Sequence, residues 1–188
     1  VALGALGLKP FTEVIVPPIT DPGGVMPVLF NGCVPVAADA APGTYNAGAE
    51  QIAEQITERT SAIIVAHISG EPADLDPILE LAKKHDLPLI EDCAQSHGAE
   101  YRGTPVGSFG TIAAFSTMFG KHHATGGQGG VVYTLDEDLY WRAKRFADRG
   151  KPFNIEEPKG NVVAGLNCNL NDLSAAIGTV QIKRLPEI

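Results

Sequence analysis

Short apolar runs rich in β-branched residues recur along this chain, and helical stretches separate several of them. Six runs are mostly continuous rather than alternating, at residues 13–18, 34–39, 62–67, 87–93, 112–117 and 130–134. Continuous runs of this length are typical of strands that are buried on both faces. Helical patterns at 49–56, 76–85 and 136–149 alternate with them. This order predicts an α/β domain with a mostly parallel central sheet covered by helices.

Local signals mark where several helices begin and end. Asp76 and Pro77 place a proline in the first turn of one helix, and Asn171 or Asp172 is the expected N-cap of the last helix. Residues 151–161 are rich in Pro, Gly and charge, so we expect a surface loop there. The first eight residues read as the end of an apolar helix.

Charge and cysteine content exclude several classes of protein. The chain carries 14 Lys and Arg against 22 Asp and Glu, a net charge of −8, without a basic block that would suit a nucleic acid or an anionic membrane. No apolar run reaches the roughly 18 residues that span a bilayer. The three cysteines are far apart and form neither a disulfide framework nor a metal-binding pair, which favours the reducing cytoplasm.

Polar residues follow the run that ends at 93. Ligands of open parallel sheets bind where the strands end, so this position is a candidate for chemistry. Asp92 has two interpretations: it caps the following turn, which the segment alone favours, or it pairs with a cation that belongs to a ligand. His67 after the preceding run is expected to be a satisfied polar group at the sheet edge, and Cys93 a small core residue.

Segment 115–130 combines a hydroxyl, a lysine and a cluster of glycines. Ser116 follows a strand and Lys121 comes five residues later. The segment has neither a Walker nor a GxGxxG pattern, so Lys121 is interpreted as a phosphate clamp or a Schiff-base nucleophile. His122 and His123 have no third ligand at a recognisable spacing, and no metal site is expected.

Taken in order, the segments resemble the DegT/DnrJ/EryC1/StrS family of aminotransferases, which use pyridoxal phosphate (PLP) and mostly act on keto-sugars. The matching segments are at 13–18, 35–46, 59–67, 70–76, 90–98, 103–110, 115–130 and 165–176. The resemblance implies a three-layer α/β/α fold, the large domain of an aspartate aminotransferase-like PLP-dependent transferase.

The resemblance also implies a role for five residues. Lys121 would form the internal aldimine with PLP, Asp92 would keep the pyridine nitrogen protonated, and Gln95 would bond the phenolic oxygen. Ser116 would contact the phosphate of the cofactor. Asn167 would reach the phosphate of the cofactor in the neighbouring subunit, which implies a homodimer with shared sites.

The implied reaction moves an amino group from an amino acid, usually glutamate, to a keto-sugar or keto-cyclitol. Lys121, once freed, would act as the general acid and base. A PLP-dependent sugar dehydratase or lyase of the same family and a non-catalytic PLP-binding regulator are the alternatives. The presence of Lys121 disfavours the dehydratase branch that carries a histidine there, and the presence of both Asp92 and Lys121 disfavours a regulator. Other lyase or isomerase chemistry on PLP stays open beside the favoured transamination.

Three positions depart from the family pattern. Asp21 stands where many members carry an aromatic residue over the cofactor ring, Gln128 replaces a glutamate, and Asn169 replaces an arginine. Specificity for nucleotide-linked sugars is therefore not carried over to this chain. A phosphate motif expected before the first strand and a C-terminal small domain are missing, so we expect residues 1–188 to be the PLP-binding large domain of a longer enzyme.

Overall fold

A computed structural model describes residues 1–188, and a six-stranded sheet forms its centre. The strands in chain order are β1 (Glu13–Val16), β2 (Val34–Ala37), β3 (Thr60–Ala66), β4 (Leu89–Asp92), β5 (Glu100–Tyr101), β6 (Thr104–Pro105), β7 (Ile112–Ser116) and β8 (Gly130–Tyr133). The central sheet has the order β2-β1-β3-β4-β7-β8, and only β8 runs antiparallel to its neighbour. All six predicted strands are confirmed, and so is the mostly parallel sheet.

Helices cover the sheet on both faces. The helices of the chain are α1 (Ala2–Leu6), α2 (Met26–Phe30), α3 (Ala49–Glu54), α4 (Leu75–Lys84), α5 (Glu137–Ala147) and α6 (Asp172–Gln181), with 3-10 turns at Pro22–Gly24, Ile68–Gly70 and Ile182–Glu187. The first five pack on the sheet, whereas α6 buries only Gly178. No helix is long and apolar enough to cross a membrane.

Neighbouring residues of each central strand belong to opposite cores, as expected of a strand buried on both faces. Val14 and Ile64 pack with α1, α2 and α5, whereas Ile15 and Ile63 pack with α3 and α4. The result is the expected three-layer α/β/α arrangement.

Side-chain caps begin two of the predicted helices. Asp136 accepts a hydrogen bond from Leu139 N at 2.9 Å, and Asn171 accepts one from Ser174 N at 2.9 Å. Asn171 rather than Asp172 is therefore the N-cap of α6. Helix α4 begins at Leu75, one residue before the expected start.

Two features were not predicted from the sequence. The hairpin of β5 and β6 has only two residues in each strand, and α2 is a single short helix that begins next to Pro27. Residues 151–161 contain neither helix nor strand. The assignment of 1–188 as one large domain of a longer enzyme stays a prediction.

Candidate active site

The five parallel strands end at one edge of the sheet, and the loops after four of them, β1, β3, β4 and β7, meet there. One pocket at this edge brings together three of the predicted site residues, Asp92, Gln95 and Lys121. The loops after β1 and β3 complete its lining with Thr20, Asp21, Ala66, His67 and Ile68, together with Ala94. The sheet thus assembles residues that are up to 101 positions apart in sequence, from Thr20 to Lys121.

Asp92, the last residue of β4, uses only one of its carboxylate oxygens within the protein. Oδ1 accepts a hydrogen bond from Ala94 N at 3.0 Å, whereas no protein donor contacts Oδ2. Burial raises the pKa of Asp92, and the Asp21 charge adds to this effect. The Ala94 N–H and the charge of Lys121 oppose it. Asp92 therefore does cap the following turn, and its second oxygen remains available to a cationic ligand.

The turn after β1 lies close to that free oxygen. A Cβ atom on Gly24 would lie 2.5 Å from Thr20 Oγ1 and 3.3 Å from Asp92 Oδ2, so a side chain at this position would displace the Thr20 hydroxyl. Asp21, the position that departs from the family pattern, accepts a hydrogen bond from Gly23 N at 2.9 Å. It caps the 3-10 turn and contributes a second carboxylate to the pocket wall.

Gln95 is fixed by the main chain of a neighbouring loop. Its Oε1 accepts a hydrogen bond from Ser69 N at 2.8 Å, and its Nε2 makes no hydrogen bond with the protein. The side chain therefore offers a donor to the pocket.

Lys121 lies in a loop that folds back on itself between β7 and β8. Two threonines brace this loop: Thr125 Oγ1 donates to Thr117 O at 2.9 Å and lies 3.0 Å from Thr117 Oγ1. A Cβ atom on Gly129 would lie 2.6 Å from Thr117 Oγ1, so the close packing depends on a glycine there. Lys121 Nζ forms no salt bridge, which leaves the amine available.

The other two predicted residues do not line this pocket. Ser116 ends β7 at the same edge, where its hydroxyl accepts a hydrogen bond from Met118 N at 3.3 Å. Asn167 is exposed, forms a bridge with Asp148 and accepts a hydrogen bond from Asn169 Nδ2 at 3.1 Å. The roles of Ser116 and Asn167 towards a phosphate stay predictions.

His122 and His123 differ in their surroundings. His123 Nε2 lies 3.1 Å from Gly178 O of α6, whereas His122 is exposed. The His97 ring is near both, with its centroid 6.2 Å from that of His122 and 6.1 Å from that of His123.

A buried network behind the pocket was missed by reasoning from the sequence. Glu91, which is 0% exposed, accepts hydrogen bonds from Gly107 N at 2.7 Å, Phe109 N at 2.8 Å and Gly110 N at 2.6 Å, and His67 Nε2 lies 3.1 Å from it. An acid inside a strand that is buried on both faces requires hydrogen-bond partners. The acidic residue within this apolar run was therefore the sequence signal for a buried network. The expectation that His67 is a satisfied polar group is confirmed.

Cys93 lies beside this pair, and ligand atoms of His67, Glu91 and Cys93 all lie within 4.8 Å of one another. Burial and the neighbouring charge of Glu91 raise the pKa of the Cys93 thiol. Main-chain donors already occupy the carboxylate, so the cluster has the chemistry of a hydrogen-bonded core rather than of a metal centre.

Known proteins are similar to this chain over nearly its whole length. The profile of the DegT/DnrJ/EryC1/StrS aminotransferase family matches residues 1–188. GDP-perosamine synthase of Caulobacter vibrioides is 40% identical over 186 residues, which cover 99% of this chain and 49% of that protein. L-glutamine:2-deoxy-scyllo-inosose aminotransferase of Streptomyces lividus is 38% identical over 192 residues, covering 98% of this chain and 45% of that protein.

Solved structures give the same result. NtdA from Bacillus subtilis, determined with bound cofactor PMP, superposes with a TM-score of 0.89 at 30% identity and covers 98% of this chain and 41% of its own. The chain spans about half the length of the relatives that it matches. It belongs to the DegT/DnrJ/EryC1/StrS aminotransferase family.

Proposed function

We propose that the pocket at the sheet edge binds PLP and that the protein is an aminotransferase. The observation that carries the proposal is Asp92 Oδ2, a carboxylate oxygen without a protein donor on a group whose pKa burial raises. Such a group favours a cationic partner, and the protonated ring nitrogen of PLP is one. Gln95 Nε2 and Lys121 Nζ, a free donor and a free amine in the same pocket, fit the rest of the cofactor.

Each residue would hold a different part of the cofactor. Lys121 would supply the amine to which its aldehyde attaches, Asp92 would hold a proton at the ring nitrogen, and Gln95 would donate to the phenolic oxygen. Ser116 would contact the phosphate, and Asn167 would contact the phosphate bound by a neighbouring subunit. The protein would accordingly work as a homodimer.

PLP, when bound, supplies an electron sink for the carbon that loses its proton. The protein's own contribution is then proton transfer and positioning. Lys121 Nζ would remove the proton from the α-carbon of the amino donor, and the Thr117–Thr125 brace would keep the lysine loop in place.

The substrates we propose are an amino acid donor, glutamate, and a keto-sugar or keto-cyclitol acceptor. The names of the relatives support the acceptor class alone, since they include both a GDP-perosamine synthase and an inosose aminotransferase, and the latter is named for L-glutamine as its donor. Cys33, Cys93 and Cys168 are unpaired, which suits a reducing compartment such as the cytoplasm.

The reaction is tested by adding glutamate to the PLP-loaded protein without an acceptor. We expect the visible absorption band to decay while 2-oxoglutarate appears in an amount equal to the bound cofactor. A band that persists with every amino acid, together with tight PLP binding, would instead indicate a non-catalytic PLP-binding protein.

A further inference from the structure

The turn that follows β3 supplies a main-chain donor to the candidate site. Ser69 N donates to Gln95 Oε1 at 2.8 Å. Because an N–H group only donates, the amide atom that it meets is the carbonyl oxygen, and the orientation of the Gln95 amide follows. The NH₂ group of Gln95 is therefore the part of the amide that has no hydrogen-bond partner in the protein.

A buried asparagine from a distant part of the chain holds this turn. Asn46 is 2% exposed and lies in the loop between β2 and α3. Its Oδ1 accepts a hydrogen bond from Ile68 N at 3.0 Å, and its Nδ2 donates to Glu71 O at 2.9 Å. One side-chain amide thus fixes two main-chain groups that are three residues apart, on either side of Ser69.

The turn has a backbone conformation that needs such support. Ser69 has a φ of 55°, in the left-handed region that a residue other than glycine rarely adopts. The start of the turn is fixed as well, because His67 Nδ1 accepts a hydrogen bond from Ala73 N at 3.1 Å and His67 Nε2 contacts Glu91. A strained backbone conformation of this kind persists where several surrounding contacts hold the residue in place, and such residues are typical of functional sites.

We infer that Asn46 is a positioning residue for the active site. Asn46 holds the turn at 67–71, and this places Ser69 N where it binds Gln95 Oε1. The Gln95 amide is thereby oriented so that its NH₂ group is the donor in the pocket. The inference rests on the proposed function, because the acceptor for that donor is the phenolic oxygen of PLP. A donor at an anionic oxygen stabilises the negative charge, so loss of Asn46 raises the pH at which the visible band of bound PLP titrates.

The first test is a pH titration of that band in the PLP-loaded protein. Asn46→Ala and Gln95→Leu should each raise the midpoint by about one pH unit, the size expected when a hydrogen bond to a charged group is lost. The double variant should shift no further than Gln95→Leu alone, because both changes remove the same contact. Leu139→Val, a core substitution in α5 on the opposite face of the sheet, controls for loss of stability and should leave the midpoint unchanged.

The second test needs no cofactor and measures amide hydrogen exchange. In Asn46→Ala, exchange at Ile68 N and Ser69 N should accelerate by about 10-fold or more, whereas Gln95→Leu should accelerate Ser69 N alone. Asn46→Asp keeps the acceptor for Ile68 N and loses the donor to Glu71 O. Its exchange rates at Ile68 N and Ser69 N should therefore lie between those of the wild type and of Asn46→Ala.

The two tests separate the two ideas. Unchanged exchange at Ser69 in Asn46→Ala overturns the positioning role, as does an unchanged midpoint in Asn46→Ala when Gln95→Leu shifts it. If the wild-type protein gives no PLP band, the proposed function fails, and the exchange rates still decide whether Asn46 fixes the contact between Ser69 and Gln95.

Discussion

Glu91 Oε2 and His67 Nε2 lie 3.1 Å apart, and neither side chain reaches solvent. His67 Nδ1 accepts a hydrogen bond from Ala73 N, so the ring proton is on Nε2 and is donated to the carboxylate. The pair adjoins the pocket, since His67 is part of its lining and Glu91 precedes Asp92 in β4. The pair therefore links the buried core to the residues that line the site.

Glu91→Gln should lower the free energy of unfolding by about 3 kcal/mol, because the introduced NH₂ group has to face N–H donors on whichever side it points. Urea unfolding measures the change. Glu58→Gln, an exposed position, is the matched control and should change stability by less than about 0.5 kcal/mol. Equal stability of Glu91→Gln and the control would contradict the account of the network.

The stability of the protein should depend on Glu91 at low pH. Burial alone raises the pKa of Glu91, but hydrogen bonds from His67, Gly110, Gly107 and Phe109 outweigh it and lower the pKa below 4.5. The stabilisation is complete above the unfolded pKa and is lost as the pH falls through the folded pKa. Unfolding followed from pH 7 to pH 2 should show a steeper loss below pH 4.5 in the wild type than in Glu91→Gln. Parallel curves would refute this assignment.

Asp92 should have the opposite effect in the protein without cofactor. Its pKa is raised by burial above the ordinary value of 3.8, so its contribution to stability is lost as the pH rises through the folded pKa. Asp92→Asn should make the cofactor-free protein more stable at pH 7 and weaken PLP binding at least 10-fold, a change of about 1.4 kcal/mol. Thermal unfolding and PLP titration measure the two effects.

The matched control is Asp39→Asn. Asp39 is exposed and also accepts a local main-chain hydrogen bond, from Ala40 N at 2.7 Å. This change should leave PLP binding unaltered. A cofactor-free Asp92→Asn protein that is less stable than the wild type would count against the idea that Asp92 lacks a cationic partner until a ligand binds.

The pattern of apolar runs was sufficient to predict all six strands of the sheet, because strands buried on both faces leave a strong signal. The end of β4 and the loop after β7 likewise drew attention to Asp92 and Lys121, and the structure brings both into one pocket. Their roles towards a cofactor stay predictions. The two-residue strands β5 and β6 were not predictable, since so short a segment has no periodicity. Helix α2 carries no capping side chain that would have marked its start.

The support behind the site was also beyond the reach of the sequence. The Asn46 side chain accepts from the main chain of Ile68, 22 positions away, and the Ser69 main chain donates to the side chain of Gln95, 26 positions away. Such pairings depend on the register of the sheet. Glu91 was visible as an acid in an apolar strand, but its donors come from the turn at 107–110. Their position depends on the hairpin that the sequence did not reveal.

The brace of the lysine loop gives a further prediction. Thr125→Val removes a buried hydroxyl with two contacts to Thr117 while keeping the shape of the side chain. We expect a loss of about 1–2 kcal/mol in stability and weaker PLP binding, because Lys121 lies between the two threonines. Thr179→Val, whose exposed hydroxyl bonds Ala175 O, is the control and should retain full PLP affinity. Wild-type affinity in Thr125→Val would show that the brace does not position Lys121.

The most direct test of the central claim is to locate the attachment of PLP. The protein is incubated with PLP, reduced with borohydride, digested and analysed by mass spectrometry. We predict one modified peptide, with the label on Lys121, and no label on the corresponding peptide in Lys121→Ala. A label spread over the surface lysines, or a visible PLP band that survives in Lys121→Ala, would contradict the assignment of this pocket as the cofactor site.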